Sequence, residues 1–295
     1  MRCCRWPPDD TIGGDRAQEP SEQVDLADQT PSLRGVLSAG EEFEGHIVDE
    51  VLGRGGYATV YRARARDRDV ALKVLDQDHR DLAHIARLRR EFEFARRLAH
   101  PHIVTVYERG SGWLSMELVT GGGIVAVSTM TKRLAALEQI ADALDYTHNR
   151  AIVHCDVKPA NILVRQDLSS AVLIDFGVAY AITDDIGHRS SQIEASLPYA
   201  APELITGQTP TGAIDEYALA CTAVELITGS PPFTATSELG LIDAHLHTPP
   251  PRWSREIAWL PRVFDAIVTK ALAKAPEDRY ASCREFVALI IRALQ

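Results

Sequence analysis

The stretch IVHCDVKPANIL, residues 152–163, constrains this chain more than any other. Short apolar runs at both ends tie it to a core and leave a polar loop between them. On that loop stand Asp156, then Lys158 two residues on and Asn161 five residues on. A carboxylate can accept a proton, an ammonium can neutralise a phosphoryl group, and an amide oxygen can ligate a divalent cation. Cys155 sits directly beside the acid.

Composition narrows the setting. A chain of 295 residues with 45 % hydrophobic and 24 % charged residues can bury a sizeable core, as one large domain or two small lobes. A net charge of −10 disfavours nucleic acid as a general partner. No apolar run approaches the ~20 residues of a membrane-spanning helix, and MRCCRWPPDD lacks the apolar stretch of a signal peptide. The five cysteines, Cys3, Cys4, Cys155, Cys221 and Cys283, are odd in number and scattered, which points to a reducing compartment. Only five lysines occur, Lys73, Lys132, Lys158, Lys270 and Lys274, so where Lys persists a compact point charge is a reasonable requirement.

Residues 1–41, rich in Pro, Gly, Asp, Glu and Gln, read as a disordered tail. HIVDEVLGRGG predicts a strand entering a glycine turn, ATVYRARAR alternates with the period of a strand, and VALKVL is an apolar strand carrying one Lys. DLAHIARLRREFEFARRLA predicts a helix, and HPHIVTVYE and WLSMELV two further strands. From Thr131 the pattern turns helical: KRLAALEQIADALDYTH places apolar residues at 134, 137, 140, 141 and 144 on one face. Short strands follow near 162–164 and 171–174, then a loop-like region over 177–200. AIDEYALACTAVELITG reads as a buried helix stopped by Gly229 and Pro231, and two more helices finish the chain.

GRGGYATV, residues 53–60, lacks the dinucleotide fingerprint, because Ala58 stands at the third glycine position and a strand follows it. A hairpin folded over nucleotide phosphates fits better, with an ordinary glycine turn as the alternative. Lys73, inside an apolar strand, needs a partner, and Glu91 on the following helix is the natural one. Their joint task would be to hold the α- and β-phosphates of ATP; the bland alternative is a surface pair contributing at most ~1 kcal/mol. Asp156 can take the proton of an attacking hydroxyl and Lys158 can neutralise the moving phosphoryl group. Asn161 and Asp175 of LIDFG can share a divalent metal.

Together, GRGGYATV, VALK, HCDVKPAN, DFG and AAPE resemble a serine/threonine protein kinase, in the style of the eukaryotic-like kinases of bacteria. The resemblance covers about residues 43–295. It implies an α+β bilobal fold, with a β-rich N-lobe holding one main helix (42–119 with the hinge) and a mostly helical C-lobe (120–295). ATP and Mg²⁺, with Mn²⁺ able to stand in, are the implied cofactors, and Ser/Thr hydroxyls of proteins the substrates. It assigns Asp156 and Lys158 to catalysis and Asn161 and Asp175 to the metal. Gly53, Gly55, Lys73 and Glu91 go to the phosphates. Hinge backbone at Glu117 and Val119 meets adenine, Met116 stands as gatekeeper, and Val60, Ala71 and Leu163 sandwich the base. Asp215 resembles the acid that holds the catalytic loop, Glu203 should pair with Arg279, and Ser196 matches a hydroxyl that contacts Asp156 and Lys158.

Departures from the family pattern shape the rest. Cys155 replaces an arginine that pairs with a phosphate on the activation loop in relatives, which implies less dependence on phosphorylation there, with Ser190 and Ser191 as acceptors. A redox role for Cys155 is disfavoured by the adjacent Asp156. Ala195 stands where a glycine is usual, GGGIVAVSTM is short for a helix-bearing segment, and Ala160 lacks an acid used to favour basic substrates. Autophosphorylation is expected. A nucleotide- or partner-binding pseudokinase and a small-molecule phosphotransferase are the alternatives. No sensor domain or membrane anchor is visible, so a cytoplasmic location is expected. A homodimer stays open.

Overall fold

The computed structural model describes residues 36–182 and 196–295. Residues 1–35, with Cys3 and Cys4, and 183–195, with Ser190, Ser191 and Ala195, lie outside the described residues.

The first strands are β1 (Glu42–Phe43), β2 (His46–Arg54), β3 (Ala58–Arg64) and β4 (Asp69–Leu75). Helix α1 (Leu82–Ala95), β5 (Val106–Arg109) and β6 (Trp113–Glu117) complete the N-lobe. Its strands form one antiparallel sheet in the order β1-β2-β3-β4-β6-β5. Alternation in β3 turns Tyr61 and Ala63 inward and leaves Arg64 exposed. β4 lies between β3 and β6 and is buried from Val70 onward, so its run DVALKVL reads as continuous rather than alternating. The residues just before β1 also touch this lobe: the Leu37 amide donates to Tyr61 Oη and the Gly40 amide to the Val48 carbonyl.

Helix α1 begins where the Asp81 carboxylate accepts the amides of Ala83 and His84. Its buried residues, Leu88, Glu91, Phe94 and Ala95, follow a helical period. Glu91 is thus an acid on an otherwise apolar face.

The C-lobe contains α2 (Met130–His148), β7 (Ile152–Val153), β8 (Ile162–Val164), β9 (Ala171–Leu173) and β10 (Tyr180–Ala181). Helices α3 (Pro202–Ile205), α4 (Gly212–Thr228), α5 (Glu238–His247), α6 (Arg262–Ala271) and α7 (Cys283–Leu294) follow. α2 buries Leu134, Leu137, Ile140, Ala141 and Leu144, the face read from its spacing. α4 is buried almost all round and ends at Gly229, whose φ of 94° favours a residue without a side chain. β7 pairs with β10 and β8 with β9, so both ends of the 152–163 loop are anchored in small sheets. The fold is therefore the α+β bilobal arrangement, with one main helix beside the N-lobe sheet and a mostly helical second lobe.

Two details differ from the sequence reading. Only the second half of HPHIVTVYE is a strand; in the first half the Val104 amide donates to the Leu173 carbonyl and the Leu173 amide to the His102 carbonyl. Buried Ile103 and Val104 tie that half to β9 instead of the N-lobe sheet. Three helices, not two, follow α4. Helix α5 buries only His245 and exposes Leu239, so it lacks the apolar stripe that marks a helix in sequence. GGGIVAVSTM, read as short for a helix-bearing segment, holds a 3₁₀ turn over Ile124–Ala126, in keeping with that reading.

Candidate active site

The site begins at Lys73. Register sets Lys73 opposite Val60 on one side and Leu114 on the other, in the middle of the sheet. Its Nζ donates to Glu91 Oε2 at 2.8 Å and lies 3.4 Å from Asp175 Oδ2. Burial alone would lower the Lys73 pKa; Glu91 and Asp175 outweigh it and hold the ammonium above its ordinary range. Burial would likewise raise Asp175, but Lys73 and Arg87 pull it below the usual carboxylate range. Asp175 has a φ of 67°, left-handed backbone at a non-glycine residue. Its Oδ1 accepts the Gly177 amide at 3.2 Å.

The 152–163 loop hangs from a single acid. Asp215, at the start of α4, accepts the His154 amide on Oδ2 and the Cys155 amide on Oδ1, both at 2.8 Å. His148 Nε2 contacts the same Oδ2 at 2.8 Å. Cys155 holds the strained link of this loop, at a φ of 65°. Its thiol is buried, 3.7 Å from the Val153 carbonyl. Burial first, and then the charges of Asp215 and Asp156, push that thiol well above its ordinary range, so the reactive thiolate is disfavoured.

Beyond Cys155 the polar groups converge. Lys158 Nζ donates to Asp156 Oδ2 at 2.7 Å and to Ser196 Oγ at 2.6 Å. The Ser196 amide donates to Asp156 Oδ1 at 3.3 Å. Asn161 Nδ2 donates to both the Asp156 carbonyl and its Oδ2. With its amino group engaged there, Asn161 is left with its amide oxygen to offer. The Ile174 amide donates to the Asn161 carbonyl, which brings Asp175 beside this loop. The donor set left open, a carboxylate and an amide oxygen, is the hard oxygen chemistry that suits Mg²⁺.

The glycine turn reaches the site through Tyr57, whose ring lies 5.4 Å from Lys73 Nζ. The Gly55 amide donates to the Ala58 carbonyl and closes the turn. Neither Gly53 nor Gly56 has an atom within 4 Å of where a Cβ would stand, so internal packing does not require glycine at either position. Bare backbone facing open space suits close approach by phosphate oxygens. Ala58, at the third glycine position, is buried where β3 begins.

An apolar patch joins the strands behind. Ala71, Met116 and Val172 belong to one cluster, with Val60 and Val119 packed against it. Leu163 pairs with Val172 across β8 and β9. The Glu117 amide donates to the Thr105 carbonyl, leaving the carbonyl as its backbone group for a base, and its side chain is paired with Arg165. Lys73, Glu91, Asp156, Lys158, Asn161 and Asp175 thus form one connected set, with Val60, Ala71, Val119 and Leu163 near it. Two side chains that border this set without belonging to it escaped the sequence reading. The Tyr57 ring sits 5.4 Å from Lys73 Nζ, and Arg87 lies 4.5 Å from the same ring. An aromatic inside a glycine turn and a cation one helical turn before Glu91 were the available signals.

Three comparisons bear on this geometry. The model of the protein kinase domain family matches residues 46–288. The serine/threonine-protein kinase PknJ of Mycobacterium tuberculosis is 38% identical over 275 residues, covering 88% of this chain and 47% of PknJ. PknF of the same organism is 38% identical over 272 residues, 85% of this chain and 56% of PknF. The chain spans about half the length of the curated relatives it matches. The crystal structure of the M. tuberculosis PknI kinase domain superposes with a TM-score of 0.68 at 33% identity, covering 88% of this chain and 100% of that one.

Proposed function

The chain belongs to the protein kinase family, among the eukaryotic-like serine/threonine kinases of bacteria, and from that premise we propose that it transfers the γ-phosphoryl group of ATP to Ser/Thr hydroxyls of proteins, itself included. The observation that carries this reading is the joint grip of Lys158 on Asp156 and Ser196, beside Asn161 and Asp175. Lys73, held by Glu91, presents a fixed positive charge to the nucleotide phosphates. Val60, Ala71, Val119 and Leu163 offer the apolar walls for adenine, and the turn at Gly53 and Gly55 covers the phosphates. Asp156 Oδ2 is engaged by Lys158 and Asn161, while among the described residues Oδ1 takes only the longer bond from the Ser196 amide. Oδ1 is therefore the oxygen that receives the hydroxyl proton. Lys158 offsets negative charge on the moving group. Asn161 and Asp175 would hold a divalent cation, Mg²⁺ foremost, which when bound screens the charge of the phosphate oxygens.

Incubation with labelled ATP and Mg²⁺ tests the reading against an Asp156→Ala control. Expected is label on the chain or an added protein substrate, reduced at least about 100-fold in the control. Nucleotide binding without label transfer would make the chain a pseudokinase.

The neutral Cys155 supports a second part of the proposal, that activity depends little on a phosphate on the activation loop. With no cation at this position, the loop segment rests on backbone bonds to Asp215. Replacing Ser190 and Ser191 together by Ala should change turnover by less than about tenfold; a loss beyond about 100-fold would contradict it.

A further inference from the structure

Helix α1 delivers two side chains to the site, four residues apart and so on one face. Glu91 reaches Lys73. Arg87 reaches other neighbours, Tyr57 and Gly177 among them. Its guanidinium carbon lies 4.5 Å from the centre of the Tyr57 ring, a stacking distance. Its Nε and Cγ also come against Gly177: a Cβ there would stand 3.1 Å from Arg87 Nε and 3.3 Å from Arg87 Cγ. Gly177 does not have a positive φ, so the closeness of Arg87 and of Asp175 Oδ1, also 3.1 Å from that point, explains glycine at 177. The Gly177 amide is the group that donates to Asp175 Oδ1.

Tyr57 completes the chain of contacts. Its ring covers Lys73 Nζ at 5.4 Å and stacks at 5.5 Å on His84, also on α1. Its hydroxyl is buried without a hydrogen-bond partner among the described residues, so among these the ring and not the hydroxyl makes its contacts. The Tyr57 carbonyl accepts the Asp76 amide, which pins the glycine turn to the end of β4. Three parts of the site, the turn at 53–58, helix α1 and the segment 175–177, therefore meet at one side chain.

We propose that Arg87 is a positioning residue, which, stacked on Tyr57 and seated against Gly177, sets the Asp175 carboxylate beside Lys73 and couples it to closure of the glycine turn. The inference rests on the kinase reading above. A planar guanidinium suits the role because it stacks on a ring while its stem packs against bare backbone, which a lysine does less well.

The test reads nucleotide binding and not turnover. A fluorescent adenosine diphosphate is titrated into the folded chain without metal and with Mg²⁺, for wild type, Arg87→Met, Arg87→Lys, Tyr57→Ala and the Arg87→Met/Tyr57→Ala pair. Expected is a loss of about tenfold in the Mg²⁺-dependent tightening for Arg87→Met and for Tyr57→Ala, with no further loss in the pair and partial recovery in Arg87→Lys. Metal-free affinity should stay within about twofold of wild type. Unchanged tightening in Arg87→Met overturns the role. So do independent losses that multiply in the pair, and so does an equal fall with and without metal, the mark of simple support for the fold. Should Arg87→Met not fold, Arg87→Lys and Tyr57→Ala decide alone, and wild-type tightening in both overturns it. A wild-type chain that binds no nucleotide in either condition sinks the kinase reading itself; wild-type binding with unaffected variants sinks only the role of Arg87.

Discussion

Two buried ion pairs, Lys73–Glu91 in the N-lobe and Arg279–Glu203 in the C-lobe, share their chemistry and differ in completeness. Arg279 uses all five of its N–H groups. Two go to the carboxylate oxygens of Glu203 at 2.6 and 2.8 Å, and the others to the carbonyls of Ala273, Ala213 and Lys274. Lys73 makes one short bond, to Glu91, and one longer approach, to Asp175. The Tyr57 ring lies 5.4 Å from the same Nζ. A saturated pair is a fastener; a pair with capacity left over is a place for a ligand. The same distinction separates Asp215, which accepts from His148, His154 and Cys155, from Asp175, whose Oδ2 lies 3.4 Å from Lys73 Nζ.

The sharpest way to break this contrast is to remove the cation from each pair. Arg279→Met strands the Glu203 carboxylate in the core and should cost about 3–5 kcal/mol of stability, read from denaturant midpoints. Lys73→Met should cost under about 1.5 kcal/mol, because burial pushes the Glu91 carboxyl up to about 7 and lets it neutralise itself once its partner is gone. Phosphoryl transfer should instead fall by roughly 100- to 1000-fold. Equal destabilisation by both variants would erase the distinction.

A third buried acid sharpens it further. Glu216 accepts the Tyr280 amide on Oε1 and has no partner on Oε2. Burial pushes its carboxyl up to about 8. The folded chain therefore prefers the neutral acid. Its stabilising effect is full below the unfolded carboxylate pKa of about 4.5 and is lost as pH rises toward 8. Glu216→Gln, neutral at every pH, should flatten the fall in melting temperature between about pH 5 and about pH 8, a difference of a few degrees. A pH profile parallel to wild type would show that Glu216 is already ionised and supported.

Much of the site was legible because its parts are local. Asp156, Lys158 and Asn161 sit within six positions, and one loop with anchored ends can hold them. The α2 stripe and the alternation of β3 were equally plain, since a period in sequence is a face in space. Other features left no such trace. Arg279 and Glu203 could be paired from sequence only through the family resemblance, and the further bonds of Arg279 to the carbonyls of Ala273, Ala213 and Lys274 come from packing alone. Tyr57 and Arg87 are thirty positions apart and show no pattern that links them. Ile103 and Val104 suit a strand, yet β9 offers them a better place than the N-lobe sheet.

By itself the sequence determined which chemical groups are available, which segments can be helix or strand, and which short stretches carry more than one functional group. These follow from side-chain chemistry and from periods that act over a few residues. Only the tertiary structure decided which charges are saturated and which are left with open capacity, because that depends on partners from distant segments. The completed bonds around Arg279 and the unfinished ones around Lys73 and Asp175 arise from the same kinds of charged group, and burial beside different neighbours saturates one pair and leaves the other with bonding capacity to spare.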